Sequence, residues 1–241
     1  MISTIPGLEA PPLCPERLLI IDTETTALTT KEGRCIEVGA ILFDVDSRSV
    51  LTQVSFLMPC EENPAQHVNG IDPLVTRLSS PWAEGLRLFE AMEHEADALV
   101  AHSAAFDRQW FGTDALPELT RPWICSKEDI RWPEERRLRP SPSLVELALA
   151  YGVPVWAAHR ALTDCTYLAQ VFEACEELEP LLQRALEPRK LMRAVISFDE
   201  RELAKAAGFR WNEPVAKAWT RRLSAREIAE LPFPVVPCKE P

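Results

Sequence analysis

The sequence lacks the features that define membrane-spanning, secreted and disulfide-stabilised proteins. It contains no run of about 18 consecutive apolar residues, so we expect no transmembrane helix. The first 16 residues have neither the basic start nor the apolar stretch of a secretory signal. The seven cysteines are odd in number, scattered and without a CxxC pair, which disfavours a zinc finger or a disulfide scaffold. We therefore expect reduced thiols and a cytoplasmic protein.

What is present indicates one large globular domain with a small appendage. The chain has 241 residues with 46% hydrophobic content, enough for a single sizeable core. Composition and proline positions predict an N-terminal arm over 1–16, a main domain over 17–180, a linker over 181–190 and a small module over 191–235.

The order of apolar patterns predicts an α/β fold with a mixed sheet. Three strands in succession are followed by alternating helices and strands, an order that favours helices packed on a sheet. The predicted strands of the main domain are 17–22, 35–44, 50–58, 97–101 and 123–125. The predicted helices are 72–78, 81–95, 103–111, 143–151 and 160–178.

Two acidic residues follow the first apolar run. Asp22 and Glu24 stand directly after residues 18–21, in the segment IIDTETT. Residues two apart on a strand point to the same face, so both carboxylates can reach one place. Carboxylate oxygens suit Mg²⁺, and buried acids otherwise need partners. Taken alone, the pair is also compatible with a strand that simply exits into solvent.

Three further polar residues stand beside predicted strand ends or helix starts. Asp107 lies one turn after Ser103, which we expect to cap the helix that follows. His159 and Asp164 belong to HRALTDC, which leads into a helix with one apolar face. An imidazole titrates near neutral pH and can therefore take a proton from water. Each residue alone is also compatible with a surface histidine or with an acid in a first helical turn.

Together, the motifs DxE, D and HxxxxD in this order resemble the DEDDh-type, or DnaQ-like, 3′–5′ exonuclease superfamily. The matching segments are 22–26, 105–107 and 159–164. A weaker match is Asn69-Gly70-Ile71, which is similar to the loop after the third strand of that superfamily. The resemblance covers about residues 15–180 and implies an RNase H-like mixed sheet flanked by helices.

The resemblance also implies a metal-dependent mechanism with two divalent cations, Mg²⁺ or Mn²⁺. The implied cation ligands and catalytic carboxylates are Asp22, which would bridge both ions, Glu24, Asp107 and Asp164, and the implied catalytic base is His159. The expected product is a nucleoside 5′-monophosphate released from a 3′ end. The residues implied at the substrate are Thr25, Thr26, Leu28, Ser103 and Phe106. For Leu28 and Phe106, a place in the apolar core is an open alternative.

Three positions depart from the pattern of the superfamily. Asparagine is common there where this chain has Ser103, glycine where it has Ala27, and histidine where it has Asn69. None of the three replaces an implied cation ligand or the base. We therefore expect an active enzyme.

Charge is distributed unevenly along the chain. The formal net charge is −11, yet residues 189–226 hold 10 basic against 4 acidic residues. The remainder holds 16 basic against 33 acidic residues, which favours short or single-stranded substrates over a long duplex. Solvated helix faces would produce the same counts.

The small module combines aromatic and basic residues. We predict a strand over 194–198, a helix over 200–207 ended by Gly208, and a hairpin from 209–211 and 217–221. Its candidate nucleic-acid-binding residues are Lys205, Arg210, Lys217, Arg221 and Arg222. Trp211 and Trp219 are interpreted as the core that so small a module needs.

The expected partners are 3′ ends of single-stranded DNA or RNA, with DNA favoured, a role in DNA repair and no membrane. A homodimer and a polymerase partner are left open by the sequence. The rival functions are a polymerase-associated proofreading subunit and a non-catalytic nucleic-acid-binding adaptor on the same fold. Loss of a cation ligand would favour the adaptor, and no such loss occurs.

Overall fold

The computed structural model describes residues 13–157 and 159–239, so most of the predicted N-terminal arm lies outside the described residues. These residues form two compact units. The larger comprises residues 14–138 and 142–185, and the smaller is built mainly from residues 186–239, with 139–141 added. In the described part of the chain, no helix is both long enough and apolar enough to cross a membrane.

A five-stranded mixed sheet forms the centre of the larger unit. Its strands are β1 (Arg17–Thr25), β2 (Cys35–Asp44), β3 (Ser49–Leu57), β4 (Ala98–Ala101) and β5 (Trp123–Cys125). The order is β3-β2-β1-β4-β5, in which β2 is antiparallel to its neighbours β1 and β3, β4 is parallel to β1, and β5 is parallel to β4. The predicted mixed α/β sheet is confirmed.

Helices flank this sheet. They are α1 (Gln66–Asn69), α2 (Pro73–Thr76), α3 (Trp82–Glu95), α4 (Ala104–Arg108), α5 (Leu144–Ala150), α6 (Ala161–Glu173) and α7 (Leu178–Ala185). Residues alternate between the faces of β1, so Leu19 and Ile21 share one apolar cluster with Phe89 of α3. Cys165 of α6 lies outside this cluster and contacts the backbone of β1, with its Sγ 3.6 Å from the Ile20 carbonyl oxygen.

The start of α6 lies unusually close to β2. A Cβ atom built on Gly39 would lie 2.4 Å from the carbonyl carbon of Ala161 and 2.4 Å from the backbone nitrogen of Leu162. No real side chain tolerates such an approach, so glycine is required here. This contact brings the first turn of α6 down onto the sheet.

Three helix predictions need correction. The predicted helix 160–178 is too long, because α6 ends at Glu173 and α7 begins only at Leu178, although the apolar spacing continues through the buried Cys175. The predicted helix 72–78 shortens to the four residues of α2, which begins after a capping Asp72. The helix after Ser103 ends at Arg108, and the Ser103 hydroxyl makes no capping hydrogen bond because its ψ of 58° is not the extended conformation typical of a capping residue.

The smaller unit is a four-stranded antiparallel sheet with two short helices. Its elements are β6 (Arg189–Ala194), α8 (Arg201–Ala206), β7 (Arg210–Trp211), β8 (Trp219–Ser224), α9 (Ala225–Glu230) and β9 (Val235–Pro237). The strand order is β7-β8-β6-β9. The predicted hairpin is confirmed by the pairing of β7 with β8. The predicted strand 194–198 is wrong, because β6 ends at Ala194 and the apolar run that follows is a loop.

The core of the smaller unit does not need both tryptophans. Phe209 and Phe233 are buried there with their ring centroids 5.4 Å apart. Trp219 packs against this cluster from its edge, whereas Trp211 is 54% exposed. The interpretation of Trp211 as a core residue is therefore wrong, since the two phenylalanines already fill the centre.

Candidate active site

Asp22 and Glu24 lie where β1 extends beyond its parallel neighbour. Pairing with β4 stops at Ile20, while pairing with β2 continues, so that Asp22 faces Gly39 and Glu24 faces Glu37 across the ladder. Glu24 is buried, and Asp22 keeps part of its surface accessible. The apolar run before them anchors the strand in the core, and its end therefore presents two carboxylates at one place.

Asp107 is held rigidly beside this strand end. It is buried in α4, and one of its carboxylate oxygens accepts hydrogen bonds from the backbone N–H and the hydroxyl of Thr23, at 3.0 and 2.9 Å. Burial raises the pKa of Asp107 to about 7, although the Thr23 hydrogen bonds act in the opposite direction. Thr23, the middle residue of the DxE motif, therefore positions the carboxylate of Asp107.

His159 and Asp164 reach the same place from the start of α6. His159 adopts a left-handed backbone with φ of 62°, and its N–H donates to Asp164 at 3.3 Å. Ligand atoms of Glu24, His159 and Asp164 all lie within 4.8 Å of one another. His159 is exposed, so its ring is accessible to solvent and to substrate.

The four carboxylates of Asp22, Glu24, Asp107 and Asp164 form what we call the acidic recess. Burial raises the pKa of Asp22 well above its usual range, and repulsion by the other three carboxylates raises it further. Burial and the neighbouring acids raise the pKa of Glu24 to about 8. The pKa of Asp164 is also raised, chiefly by burial. Crowded carboxylates of this kind are stabilised by a cation.

The donor set fits a hard divalent cation. The acidic recess offers carboxylate oxygens with one imidazole beside them, and no thiolate belongs to the cluster of Glu24, His159 and Asp164. Carboxylates suit Mg²⁺ and Mn²⁺, whereas softer metals favour sulfur and several imidazoles. Glu24, Asp164 and His159 present ligand atoms close enough together to hold one cation, and the carboxylates of Asp22 and Asp107 lie near enough to repel that of Glu24.

Glu37 was missed by the sequence analysis, although it organises this site. It is 1% exposed and receives two hydrogen bonds from the Arg160 guanidinium, at 3.0 and 2.7 Å. It also accepts the N–H of Ala161 at 3.2 Å. Glu37 thereby fixes the residues between His159 and Asp164. The available signal was a lone acid inside the apolar strand CIEVGAILF, because a buried charge requires a partner.

The residues expected at the substrate have different environments. Leu28 is 76% exposed, which removes the alternative that it belongs to the core. Phe106 is partly buried against the core and stacks edge-on with Trp110 at 6.0 Å. Gln109 donates to the carbonyl oxygens of both Leu28 and Phe106 at 3.1 Å, so these two residues are held together.

Thr25 and Thr26 shape the loop that joins β1 to β2. The Thr25 hydroxyl donates to the carbonyl oxygen of Ala27 at 2.7 Å, and the Thr26 hydroxyl accepts the N–H of Arg34 at 3.0 Å. Each hydroxyl keeps further hydrogen-bonding capacity for a ligand. Ala27, one of the three departures from the family pattern, lies in this loop and provides the carbonyl oxygen that accepts from Thr25.

Asn69 and Ser103, the other two departures, have contrasting roles. Asn69 is 3% exposed, donates to the Thr25 carbonyl oxygen at 3.1 Å and accepts a hydrogen bond from Asn63 at 2.9 Å. It therefore ties the loop after β3 to the end of β1. Ser103 is exposed at the start of α4.

The basic candidates of the smaller unit are mostly engaged in local contacts. Lys205 lies 3.9 Å from Glu202, and Arg210 lies 3.5 Å from Glu213. Arg221 donates to the Ala207 carbonyl oxygen, and Arg222 donates to the Arg189 carbonyl oxygen at 3.3 Å. The remaining candidate, Lys217, is exposed and lines a cavity considered below.

Residues 19–172 match the family model RNase_T, whose description is Exonuclease. This match covers more than half of the chain. The chain belongs to this exonuclease family. It is a DnaQ-like 3′–5′ exonuclease, and the family implies dependence on divalent metal ions. Residues 190–238 match a second model, a domain of unknown function named DUF8626.

A curated relative agrees with this assignment, and solved structures of low identity share the fold. The DNA polymerase III subunit epsilon of Treponema pallidum (strain Nichols) is 29% identical over 168 residues, which cover 63% of this chain and 72% of the relative. Cell-death related nuclease 4 has the same fold, with a TM-score of 0.54 and 14% identity over 93% of this chain and 81% of that one.

Two further solved structures share the RNase H-like fold. The nuclease domain of 3′hExo, a DEDDh family member bound to rAMP, has a TM-score of 0.53 and 14% identity over 70% of this chain and 94% of that one. Escherichia coli exonuclease I in complex with single-stranded DNA has a TM-score of 0.54 and 16% identity over 79% of this chain. The present chain spans 50% of exonuclease I.

Proposed function

We propose that the exonuclease unit removes nucleoside 5′-monophosphates one at a time from the 3′ ends of single-stranded nucleic acid, DNA in preference to RNA. The observation that carries this proposal is the acidic recess, with an accessible imidazole beside it. The preference for DNA rests on the relationship to a DNA polymerase III subunit. The likeness in fold to an exonuclease bound to single-stranded DNA is compatible with it.

The residues of the chain have separable roles in this reaction. Asp22, Glu24, Asp107 and Asp164 would hold two divalent cations, Mg²⁺ or Mn²⁺. When bound, these cations would supply positive charge that makes an attacking water more acidic and stabilises the leaving 3′-oxygen. His159 would accept the proton of that water, because its ring is solvent-accessible and lies beside the recess.

The terminal nucleotide would lie against the loop after β1. Leu28 offers an exposed apolar side chain, and Phe106 lies close to it through the shared Gln109 contacts. Apolar packing against a base is tolerant of sequence, as a processive or degradative nuclease requires. The Thr25 and Thr26 hydroxyls would hydrogen-bond to the sugar or phosphate of the same nucleotide.

The test is a gel assay of 5′-labelled single-stranded DNA and RNA oligomers with Mg²⁺ or Mn²⁺. We expect a ladder that shortens from the 3′ end, faster on DNA, and abolished both by a chelator and by Asp22→Asn. Persistence of intact oligomers of both kinds with either metal would overturn the proposal. A faster RNA ladder would reverse the sugar preference alone.

The relationship to a polymerase subunit favours a second candidate, a polymerase-associated proofreading role. The two roles differ in whether the purified chain needs a partner. A chain that degrades unpaired 3′ ends alone, at the same rate with and without a replicative polymerase, supports the free-standing enzyme. Activity that appears only with the polymerase, and prefers a mismatched primer end, supports proofreading.

The location of the enzyme remains part of the proposal. All seven cysteines are free thiols. This supports a reducing compartment, and we propose the cytoplasm, where single-stranded DNA intermediates of repair would be substrates.

A further inference from the structure

The smaller unit contains a cavity that the exonuclease chemistry does not use. Its volume is about 650 Å³, and it is lined by residues 193–198, Arg201, Trp211 and residues 217–219. Sites for small molecules and nucleotides usually measure roughly 300–1,000 Å³. None of the predicted cation ligands belongs to this unit. We call this feature the aromatic cavity.

Three aromatic side chains line the aromatic cavity, and two of them, Phe198 and Trp211, lie outside the core of the unit. Phe198 is 78% exposed and Trp211 is 54% exposed. Trp219 lies beside Trp211, with ring centroids 5.6 Å apart and planes inclined by 53°. The unit has a separate core around Phe209. Exposed aromatic rings gathered in one concave place are typical of a binding surface.

The charged side chains that line the aromatic cavity are all basic. Arg193, Arg201 and Lys217 line it, and its described lining contains no acidic residue. Among the described residues, neither Arg193 nor Lys217 takes part in an ion pair. Arg201 lies over the Phe198 ring, 4.2 Å from its centroid. Two cations are therefore available to an anionic ligand, and a third orients an aromatic ring.

The acids nearby on the chain, Asp199, Glu200 and Glu202, do not line the aromatic cavity. Glu200 accepts hydrogen bonds from the backbone N–H and the hydroxyl of Ser197, both at 2.8 Å. Glu202 lies 3.8 Å from Arg201 and 3.9 Å from Lys205. Neither of these acids lines the aromatic cavity.

We propose that the aromatic cavity is a second nucleic-acid-binding site, which holds an unpaired base against Trp211 and Phe198 while Arg193 and Lys217 contact the adjoining phosphates. Flat aromatic faces bind any base, and exposed cations bind the backbone, so this combination suits single-stranded substrate. A bound strand would raise the local concentration of substrate for the exonuclease unit on the same chain. The proposal relies on the proposed function only for the class of substrate.

Binding can be measured without hydrolysis. Fluorescence anisotropy of labelled single-stranded dT and rU oligomers, with the full chain in a chelator, reports affinity directly. We expect Trp211→Ala to weaken binding by on the order of 10-fold, as stacking on one base contributes. We expect Arg193→Ala to weaken it less and to reduce the slope of affinity against salt by about 0.7, the value for one phosphate contact of a single strand.

Matched variants keep the test specific. Leu203→Ala and Lys190→Ala change exposed residues of the same unit outside the aromatic cavity, and we expect oligomer affinity to stay within about twofold. Trp211→Phe keeps a ring and should retain most of the binding. Equal affinity of wild type, Trp211→Ala and Arg193→Ala would overturn the proposal, as would Trp211-dependent binding of an acidic peptide in place of the oligomers.

A mononucleotide ester separates this proposal from the proposed function. Hydrolysis of thymidine 5′-(p-nitrophenyl phosphate) with Mn²⁺ needs the exonuclease unit alone. The variants of the aromatic cavity should keep the wild-type rate on this ester while binding oligomers less tightly. If wild type hydrolyses neither ester nor oligomer but still binds in a Trp211-dependent way, the proposed function fails and the second site stands. Loss of ester hydrolysis in Trp211→Ala would contradict a role restricted to binding.

Discussion

The acidic recess and the aromatic cavity are opposites in charge and in burial. The recess crowds carboxylates that are mostly buried, and it fixes them through contacts such as that of Asp107 with Thr23. The cavity presents cations and exposed rings on a loop and a short hairpin. Crowded, hydrogen-bonded carboxylates suit chemistry with a metal ion, whereas exposed rings and cations suit binding of varied sequence. This difference predicts that hydrolysis and binding of the substrate can be impaired by separate substitutions.

The largest effect is expected from Asp22→Asn, which should reduce hydrolysis of oligomers without weakening their binding. The variant removes one central charge from the acidic recess, and we expect oligomer hydrolysis to fall by at least about 1,000-fold. Binding of oligomers in a chelator should stay near the wild-type value, because the aromatic cavity is unchanged. Asp46→Asn, at an exposed acid outside the recess, is the control and should keep full activity. Loss of binding together with activity would contradict separable roles.

A smaller loss of activity is expected when the Glu37–Arg160 ion pair beside the acidic recess is changed. Glu37→Gln weakens the ion pair with Arg160 and leaves that cation without its charge partner. We expect kcat on the mononucleotide ester to fall by about 10- to 100-fold, because His159 and Asp164 lose their fixed position. Glu95→Gln in the exposed pair with Arg17 should change little. An unchanged kcat in Glu37→Gln would show that Arg160 does not position the site.

Gly39→Ala tests the same support through packing. The added methyl group would meet the backbone of Ala161 and Leu162 at 2.4 Å and push the start of α6 away from the sheet. We expect about 10-fold lower kcat and a loss of about 1–3 kcal/mol in the free energy of unfolding, measured by urea denaturation. Wild-type kcat and stability would contradict this account of the close approach.

The smallest effect concerns pH and a histidine outside the recess. His102 accepts from or donates to Ser126 at 2.9 Å, and its other ring nitrogen lies 3.1 Å from the Pro142 carbonyl oxygen. Burial lowers the pKa of His102 to about 4. The unfolded chain therefore takes up a proton as pH falls below about 6.5 while the folded protein does not, so stability is lost between about pH 6.5 and 4.

The variant His102→Gln isolates this effect, because glutamine keeps a donor and an acceptor and does not titrate. Between pH 7 and pH 4.5 in a chelator, we expect wild type to lose about 1–3 kcal/mol more unfolding free energy than the variant. Urea denaturation at both pH values measures the difference. Parallel losses in the two proteins would show that His102 does not contribute.

Local patterns were sufficient to predict the sheet and the positions of the motif residues. The apolar run before Asp22 is long enough to form a strand, and alternation then places Glu24 beside Asp22 on one face. The sequence could not show Glu37 with Arg160, because their contact joins residues far apart in the chain. It also could not show the break after α6, since burial of apolar residues continues across it.

The smaller unit was harder to predict for a different reason. Its apolar run 194–198 has the composition of a strand, but only Ala194 belongs to β6, and residues 195–198 line the aromatic cavity as a loop. The strand that forms instead, β6, contains basic residues and buries only Leu191 and Met192. Trp211 likewise has the composition of a core residue but is exposed. Residues that serve a binding surface depart from the rule that apolar side chains are buried.

The most direct measurement of the central claim is a calorimetric titration of the full chain with Mn²⁺ at pH 7.5, beside Asp22→Asn. If the acidic recess is the cation site of the exonuclease, wild type binds Mn²⁺ saturably, and the variant binds at least about 10-fold more weakly. In a chelator, the variant should also unfold at a higher temperature than wild type, because one repelling charge is gone. Equal Mn²⁺ affinity in the two proteins would contradict the assignment of catalysis to this recess.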